Sequence, residues 1–153
     1  MPEKLPNGRT GSNVIAELSA GRIREIYEDF AYGRLDQLSE VLDDEIDFIS
    51  YAPPDVFPYL GRQRGRESVL SAFSAVHKKL EIIAFRPMTT VIDGDQAALT
   101  VIMKLLDRGT NRSAIYLASH FLKFRDGRIV EFCGIIDSLN AMRQLGDSLS
   151  QSN

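Results

Sequence analysis

The sequence predicts an α+β fold in which helices come first and long antiparallel strands follow. Apolar residues recur at helical spacing near the start of the chain, at Ile23, Ile26, Tyr27 and Phe30. From residue 82 onwards the chain consists of long apolar runs, and Asp-Gly pairs separate some of them as two-residue hairpin turns do. This order is typical of helices that cover one face of an antiparallel sheet.

Three helices are predicted before the long strands. Ser12 or Asn13 can cap the first helix, and Gly33 can end it because glycine tolerates a left-handed conformation. The second helix stops at Asp43 and Asp44 and has these residues on its apolar side: Leu35, Leu38, Val41 and Leu42. A strand over residues 46–51 and a proline-rich loop over 52–65 lead to a third helix over about residues 67–79.

Four long strands and a short helix complete the predicted domain. The strands span residues 82–92, 95–106, 113–124 and 128–136, and the hairpin turns lie at Asp93-Gly94 and Asp126-Gly127. A helix over about 138–145 follows the last strand. We therefore expect a flexible arm over residues 1–12, one domain over 13–146 and a tail over 147–153.

Composition excludes several classes of function. The net charge of −3 offers no electrostatic basis for binding nucleic acid or an anionic membrane. No apolar run approaches the ~20 residues of a membrane span, and the first ten residues lack the apolar core of a signal peptide. Cys133 is the only cysteine, and the two histidines are His77 and His120. We expect a cytoplasmic protein with neither a metal site nor a cofactor.

The two hairpin turns allow one face of the sheet to be assigned, because side chains alternate along a strand. The predicted cross-strand pairs are Arg125–Arg128, His120–Cys133, Tyr116–Asp137, Val101–Ala118, Leu99–His120, Met88–Leu99 and Arg86–Val101. One face then carries an apolar wall with a few polar groups, and we predict that it faces the helices and a pocket. Its members are Arg86, Met88, Leu99, Val101, Met103, Leu105, Tyr116, Ala118, His120, Leu122, Cys133, Ile135 and Asp137.

Glu131 does not fit this assignment, because the same count places it on the pocket face opposite Leu122. Either Glu131 lies at the open rim, or a β-bulge between Glu131 and Asp137 shifts the register of the last strand. A bulge there would reverse the relation between Asp137 and His120. Both alternatives are kept.

Three segments and the order of elements resemble the nuclear transport factor 2-like superfamily, and within it the SnoaL-like polyketide cyclase group. The segments are residues 26–38, residues 57–61 with 65–69, and residues 120–132 running on to Asp137. The resemblance covers about residues 14–146. It implies a cone of curved, mixed-edge sheet, cystatin-like in shape, that three N-terminal helices close around a pocket. The superfamily includes ketosteroid isomerase, limonene-epoxide hydrolase, scytalone dehydratase, polyketide cyclases and many non-catalytic proteins. Membership therefore does not determine which activity a protein has.

The resemblance implies a catalytic acid or base at Asp137, since SnoaL-type cyclases and limonene-epoxide hydrolase use a comparable late-strand aspartate. A carboxyl group in an apolar cone could exchange protons near neutral pH. The alternative is that Asp137 caps the helix over 138–145, as aspartate often does. The two roles are compatible.

His120 resembles the strand histidine that accompanies that aspartate in the cyclases. The alternative is a structural histidine bonded to a hydroxyl group such as that of Tyr116 or Tyr51. Further side chains are expected to line the pocket: Tyr116, Tyr51, Tyr59, Met88, Leu99, Val101, Met103 and Ile135.

Two functions remain open at this stage. The first is a cofactor-independent isomerase, cyclase or dehydratase that acts on an apolar carbonyl-bearing or polycyclic molecule. The second is a non-catalytic protein that binds a small ligand or a protein through the same cone. In both cases a homodimer through the outer sheet face is expected, because that face offers more contiguous apolar surface than a monomer usually leaves exposed. The residues are Ile102, Leu117, Phe121, Val130, Phe132 and Ile136.

Overall fold

The computed structural model describes residues 18–54, 57 and 59–146 of the chain. Within them the elements are α1 (Ala20–Ala31), α2 (Leu35–Val41), β1 (Leu42–Tyr51), β2 (Arg62–Arg64), α3 (Arg66–Lys79), β3 (Leu80–Asp93), β4 (Gln96–Asp107), β5 (Ser113–Arg125), β6 (Arg128–Ile136) and α4 (Ser138–Leu145). None of the described helices is long and apolar enough to cross a membrane. The predicted arm and tail, with the proposed caps Ser12 and Asn13, lie outside the described residues, so the division at residues 12 and 146 stays a prediction.

The strands form one six-stranded sheet in the order β2-β1-β6-β5-β4-β3. Neighbouring strands are antiparallel except β1 and β6, which run parallel. The predicted α+β class, with three helices before a curved and mostly antiparallel sheet, is confirmed. The region from Gln96 to Phe124 holds strands and one loop and no helix, as predicted.

Local signals explain the helix boundaries. The Ser19 side chain accepts a hydrogen bond from the Arg22 backbone N–H and so caps α1, while Gly33 adopts a φ of +69° just after its end. The prediction was wrong between α2 and α3. β1 begins at Leu42, directly after α2, and the short strand β2 lies inside the region predicted as loop. The residues of β2 form a strand because they pair with β1, and their local sequence does not indicate a strand.

The turn between β5 and β6 is the predicted one. Arg125 pairs with Arg128, and Asp126 and Gly127 both have positive φ, as a type I′ turn requires. The turn between β3 and β4 differs by one residue. Asp93 pairs with Gln96, so Gly94 rather than Asp93 holds the first central position. This arrangement matches a type II′ turn, which needs positive φ only at the first central residue.

Bulges in β3 change its register further. The expected pairs Met88–Leu99 and Arg86–Val101 are replaced by Thr90–Leu99 and Pro87–Val101. Met88 falls at one of the irregularities and is 63% exposed. Its predicted place in the pocket is therefore wrong, because an extra residue at a bulge interrupts the alternation of side chains.

A bulge also lies near the start of β6 and changes which residues face inward. Phe124 pairs with Ile129 but Lys123 pairs with Glu131, so Val130 is the additional residue. His120 consequently pairs with Gly134 instead of Cys133, and Glu131 lies beside Lys123. The bulge that was considered does exist, but it precedes Glu131 instead of following it. Ile129, Phe132, Gly134 and Ile136 therefore turn inward, and Cys133, Ile135 and Asp137 turn outward.

The helices pack their apolar faces on the inner face of the sheet. Ile23 and Ile26 of α1 join a cluster with Ile46 of β1 and Val101 of β4, all of them buried. A second cluster surrounds Leu105 and includes α4 through Ala141 and Leu145. A hollow remains between the helices and the sheet, beside these two clusters. It is the candidate functional site.

Candidate functional site

An apolar cavity of about 120 Å³ lies between the helices and the inner face of the sheet. Phenylalanine rings form much of its wall, and they are Phe30, Phe48, Phe57, Phe73, Phe85 and Phe132. Four side chains that carry polar atoms also line it, and they are Tyr27, Ser50, Tyr116 and His120. No Asp, Glu, Lys or Arg of the described part of the chain lines this cavity. The site therefore offers hydrogen bonds in a region of low polarity, without a charged group.

His120 of β5 and Tyr27 of α1 form the central polar contact. The Tyr27 hydroxyl group lies 2.5 Å from Nδ1 of His120, and both residues are buried. Nε2 of His120 has no hydrogen bond with any residue that the structure describes. Since a phenol is a better donor than acceptor, we assign the proton of this bond to Tyr27. The neutral imidazole then carries its own proton on Nε2, where it can be donated to a ligand.

Apolar surroundings keep this pair uncharged. The ring of His120 lies 4.8 Å from that of Phe132 and 5.7 Å from that of Phe85, measured between centroids. Burial among these groups lowers the pKa of His120 from 6.5 to about 3, because the charged imidazolium loses its hydration. Burial likewise raises the pKa of Tyr27 well above its usual 10.0. Both groups are therefore neutral at physiological pH.

Tyr116 and Tyr59 form a second polar region near the other end of the cavity wall. Tyr116 precedes His120 by four residues on β5 and contacts Phe57 edge-on, with centroids 6.5 Å apart. Burial raises the pKa of Tyr116 above its usual value. Burial, with a smaller contribution from the Asp107 carboxylate, raises the pKa of Tyr59 to about 12. The Tyr59 hydroxyl group is enclosed and has no hydrogen-bond partner in the described residues.

Asp137 is not in the cavity, contrary to the prediction. It is exposed, and its side chain accepts a hydrogen bond from the Asn140 backbone N–H at 3.2 Å, so it caps α4. The backbone N–H of Asp137 donates to the carbonyl oxygen of Leu117, so Asp137 does not lie opposite Tyr116 as predicted. The bulge at Val130 is the physical reason, because one extra residue moves every later side chain of β6 to the opposite face. The capping alternative describes Asp137 correctly.

The remaining predicted site residues divide into four groups. Tyr116, His120 and Met103 line the cavity as expected. Leu99 and Val101 point inward but are buried core residues outside the cavity lining. Tyr51 and Ile135 are 59% and 47% exposed, and they pair with each other on β1 and β6, away from the cavity. Tyr59 packs against the second cluster without lining the cavity itself.

Three contributors to the site were not predicted from the sequence. Tyr27 was interpreted as core and is the hydroxyl partner of His120, a role that had been considered for Tyr116 and Tyr51. Ser50 could have been found, since it alternates with the inward Ile46 and Phe48 on β1. Gly134 could not, because only the bulge brings it opposite His120.

Acidification is expected to destabilise the protein through His120. The pKa of about 3 in the folded state lies below 6.5, so between these values the unfolded chain binds more protons. Stability that is present above about pH 6.5 is therefore lost as the pH falls towards 3, by up to about 1.4 kcal/mol per pH unit. Urea unfolding between pH 7 and about pH 4 should show a shallower decline for His120→Phe than for the unchanged protein. His77→Phe should flatten the decline less, because burial lowers the pKa of His77 as well but its side chain is only partly buried. Equal slopes for His120→Phe and the unchanged protein would contradict the expectation.

Substitutions at Asp137 should affect stability only as the loss of a helix cap does. Asp137→Asn is expected to be nearly neutral, because asparagine caps about as well as aspartate. Asp137→Ala should lower the free energy of unfolding by roughly 1 kcal/mol. Denaturant titration of both variants measures this difference. Equal destabilisation by both substitutions would show that the carboxylate has another role.

Comparison with known proteins agrees with this architecture. The family model of the SnoaL-like domain matches residues 23–132, which is more than half of the chain. A solved structure of a candidate isomerase from Rhodopseudomonas palustris superposes with a TM-score of 0.75 at 26% identity and covers 85% of this chain and 97% of that chain. IdmH, a candidate polyketide cyclase from Streptomyces antibioticus, gives 0.69 at 23% identity and covers 83% and 97%.

An LEH-like epoxide hydrolase from M. tuberculosis has the same fold at 12% identity, with a TM-score of 0.68 and coverage of 82% of this chain and 86% of that chain. No curated protein matches the sequence. The match to the family model shows that the chain belongs to the SnoaL-like domain family, and its helices and six-stranded sheet have the fold of solved nuclear transport factor 2-like proteins.

Proposed function

We propose that this protein binds a compact, apolar, carbonyl-bearing molecule in the cavity and acts on it as a cofactor-independent enzyme of the isomerase, cyclase or dehydratase type. The observation that carries the proposal is the buried imidazole of His120, whose Nε2 lines the site without a partner in the described residues. A neutral N–H in surroundings of low polarity polarises a carbonyl oxygen more strongly than the same group does in water.

The size and polarity of the cavity support a small ligand. A cavity of about 120 Å³ is comparable to the engineered cavities of about 150 Å³ that bind benzene. A single ring therefore fits better than the polycyclic substrates that the family resemblance also allows. Because the wall is mainly hydrocarbon, burial of the ring supplies the affinity and the few polar groups set its orientation.

The proposed chemistry differs from that of an ionised acid and base. A lowered pKa prevents His120 from collecting a proton at pH 7, and the Tyr27 hydrogen bond occupies Nδ1. His120 would instead hold a proton at Nε2 and share it with an oxygen whose negative charge grows during the reaction. The proton that leaves carbon would pass to hydroxide or water from the solvent, because the described residues that line the cavity include no ionised base. Tyr27 would act through His120, as a positioning residue, by selecting this tautomer.

Non-catalytic binding of the same class of ligand is the second candidate. It is favoured by the lack of any Asp, Glu, Lys or Arg among the described residues that line the cavity. Removal of a proton from carbon needs a base, which these lining residues do not supply, so turnover would depend on a base from the solvent. The two candidates predict the same binding and differ in turnover.

Cyclohex-2-enone is a suitable probe for both candidates, with cyclohexene as the analogue that lacks the oxygen. We expect His120→Phe to weaken binding of the ketone by about 3- to 10-fold, which corresponds to the loss of one hydrogen bond, and to leave cyclohexene binding unchanged. NMR titration measures both affinities. Exchange of the ring protons of the ketone in D₂O, followed in the same samples, should be faster with the unchanged protein than with His120→Phe.

His77→Phe is the matched control, since His77 lies on α3 outside the cavity lining. It should retain both ketone binding and proton exchange. Binding without accelerated exchange would select the non-catalytic candidate. Equal binding of the ketone by His120→Phe and the unchanged protein would contradict the proposed role of His120.

We also propose a homodimer through the outer face of the sheet. The support is a set of apolar side chains on β5 and β6 that are about half exposed, namely Ile115, Leu117, Phe121 and Ile135. Phe132 and Ile136 were predicted to belong to this interface, but they line the cavity instead. Phe121 and Cys133 also border an open hollow of about 450 Å³ on this face, large enough to accept side chains of a partner.

The dimer proposal predicts that Leu117→Lys shifts the sedimentation profile towards the monomer, because a buried unpaired charge opposes association. Tyr32→Lys is the control, since Tyr32 is 73% exposed at the end of α1 on the helical side. Sedimentation of the unchanged protein only as a monomer at micromolar concentration would rule out this dimer.

A cytoplasmic location is proposed on the evidence of cysteine usage. Cys133 is the only cysteine of the sequence, and its thiol is free and partly buried. Disulfides are common in oxidising compartments and rare in the cytoplasm, so a lone thiol fits a reducing compartment.

A further inference from the structure

Ser50, Gly134 and His120 stand in one row across three neighbouring strands. Gly134 of β6 pairs with Ser50 of β1 on one side and with His120 of β5 on the other. All three residues are buried, and both Ser50 and His120 line the cavity. With strands about 4.8 Å apart, the Cα atoms of Ser50 and His120 are separated by about 10 Å. Two polar side chains thus face each other across a residue that has no side chain.

The orientation of the imidazole directs its free edge along this row. Nδ1 is bound to Tyr27 of α1, whose ring stacks on Phe85 of β3 with centroids 4.8 Å apart. The opposite edge of the imidazole approaches Gly134, because Cδ2 of His120 lies 3.4 Å from the position that a Cβ of Gly134 would take. Nε2 is bonded to Cδ2, so its proton lies on the side of β6 and β1.

The Ser50 hydroxyl group is available as a second hydrogen-bond donor beside Nε2–H of His120. It forms no hydrogen bond with a described side chain or backbone group. Its backbone N–H donates to the Gly61 carbonyl, which fixes the strand without using the side chain. Because Ser50 lines the cavity, a ligand oxygen there can accept a hydrogen bond from this hydroxyl group.

Gly134 keeps the space between the two donors open. A Cβ at this position would lie 3.0 Å from Cε1 of Phe132 as well as 3.4 Å from His120. The distance to Phe132 is shorter than an ordinary carbon contact, and the distance to His120 is at its lower limit, so any larger residue would push the Phe132 ring or fill the gap. The glycine is thus suited to admit a ligand atom between Ser50 and His120.

We propose that the Ser50 hydroxyl group and Nε2–H of His120 form a two-donor site for one ligand oxygen, with Gly134 as the opening that admits it. The inference rests on the proposed function and names the part of the ligand that the site recognises. Two converging donors match the two lone pairs of a carbonyl oxygen. They also suit the enolate oxygen that such a carbonyl becomes, because each donor strengthens as negative charge grows.

The site is tested with the carbonyl stretching frequency and the affinity of cyclohex-2-enone labelled with ¹³C at the carbonyl carbon. Each hydrogen bond weakens the C=O bond, so the bound ketone should absorb at a lower frequency in the unchanged protein than in Ser50→Ala. Ser50→Ala should also weaken binding by about 3- to 10-fold, as expected for one hydrogen bond. Ser119→Ala is the matched control, because Ser119 adjoins His120 on β5 but pairs with Ile135 on the outer face.

Gly134→Ala provides an independent arm. We expect it to lower ketone affinity by 10-fold or more while the far-ultraviolet circular dichroism spectrum is retained. If this variant does not fold, the Ser50→Ala arm still decides the question, since loss of one hydroxyl group leaves the packing unchanged.

The possible failures can be told apart. If Ser50→Ala changes neither frequency nor affinity while His120→Phe changes both, the two-donor site is wrong and the proposed function stands. If neither substitution changes ketone binding, or if the unchanged protein does not bind the ketone, both the site and the proposed function fall.

Discussion

One extra residue, Val130 in β6, decides which side chains of the last strand face the cavity. Beyond it the strand presents Phe132, Gly134 and Ile136 to the interior, while Cys133 and Ile135 turn to the outer face. Without the bulge, Asp137 would follow the inward set and a carboxylate would belong to the cavity. The chemical character of the site therefore follows from a local irregularity of the backbone, because sheet side chains alternate strictly on either side of it.

The second constraint is the contact between Tyr27 and His120, which joins the first helix to the middle of the sheet. The same apolar packing that buries this pair removes charge from it and selects one tautomer of the imidazole. Burial, tautomer and orientation are thus consequences of one arrangement. A histidine held in this way is suited to the role of a neutral donor that we propose for it, which neutral imidazole takes in triosephosphate isomerase.

These two constraints lead to a site with neutral donors, few polar atoms and a small volume. Among relatives of the same fold, names such as isomerase, polyketide cyclase and epoxide hydrolase occur, and the fold alone does not choose between them. The choice depends on which side chains converge on the substrate. In this chain Ser50 and His120 flank Gly134, and we propose that they converge on the substrate there.

Periodicity alone was sufficient for the fold class, the helices and most strand ends, because those features depend on local burial patterns and turn residues. The sequence also placed Tyr116, His120 and Met103 on the inner face correctly, since β4 and β5 pair without irregularity and their alternation can be counted. Register beyond the bulges was decided only by the tertiary structure. Sheet twist and packing determine where a strand takes up an additional residue, and no local signal at Val130 or Met88 marks it.

The contact between Tyr27 and His120 was likewise beyond the reach of sequence reasoning. The two residues are 93 positions apart, and their meeting depends on how α1 crosses the sheet. Asp137 shows the opposite case, in which a local rule was correct. Asp137 directly precedes α4 and caps it. The cap uses only the backbone N–H groups of that helix, so it does not depend on which face of β6 the preceding side chains occupy.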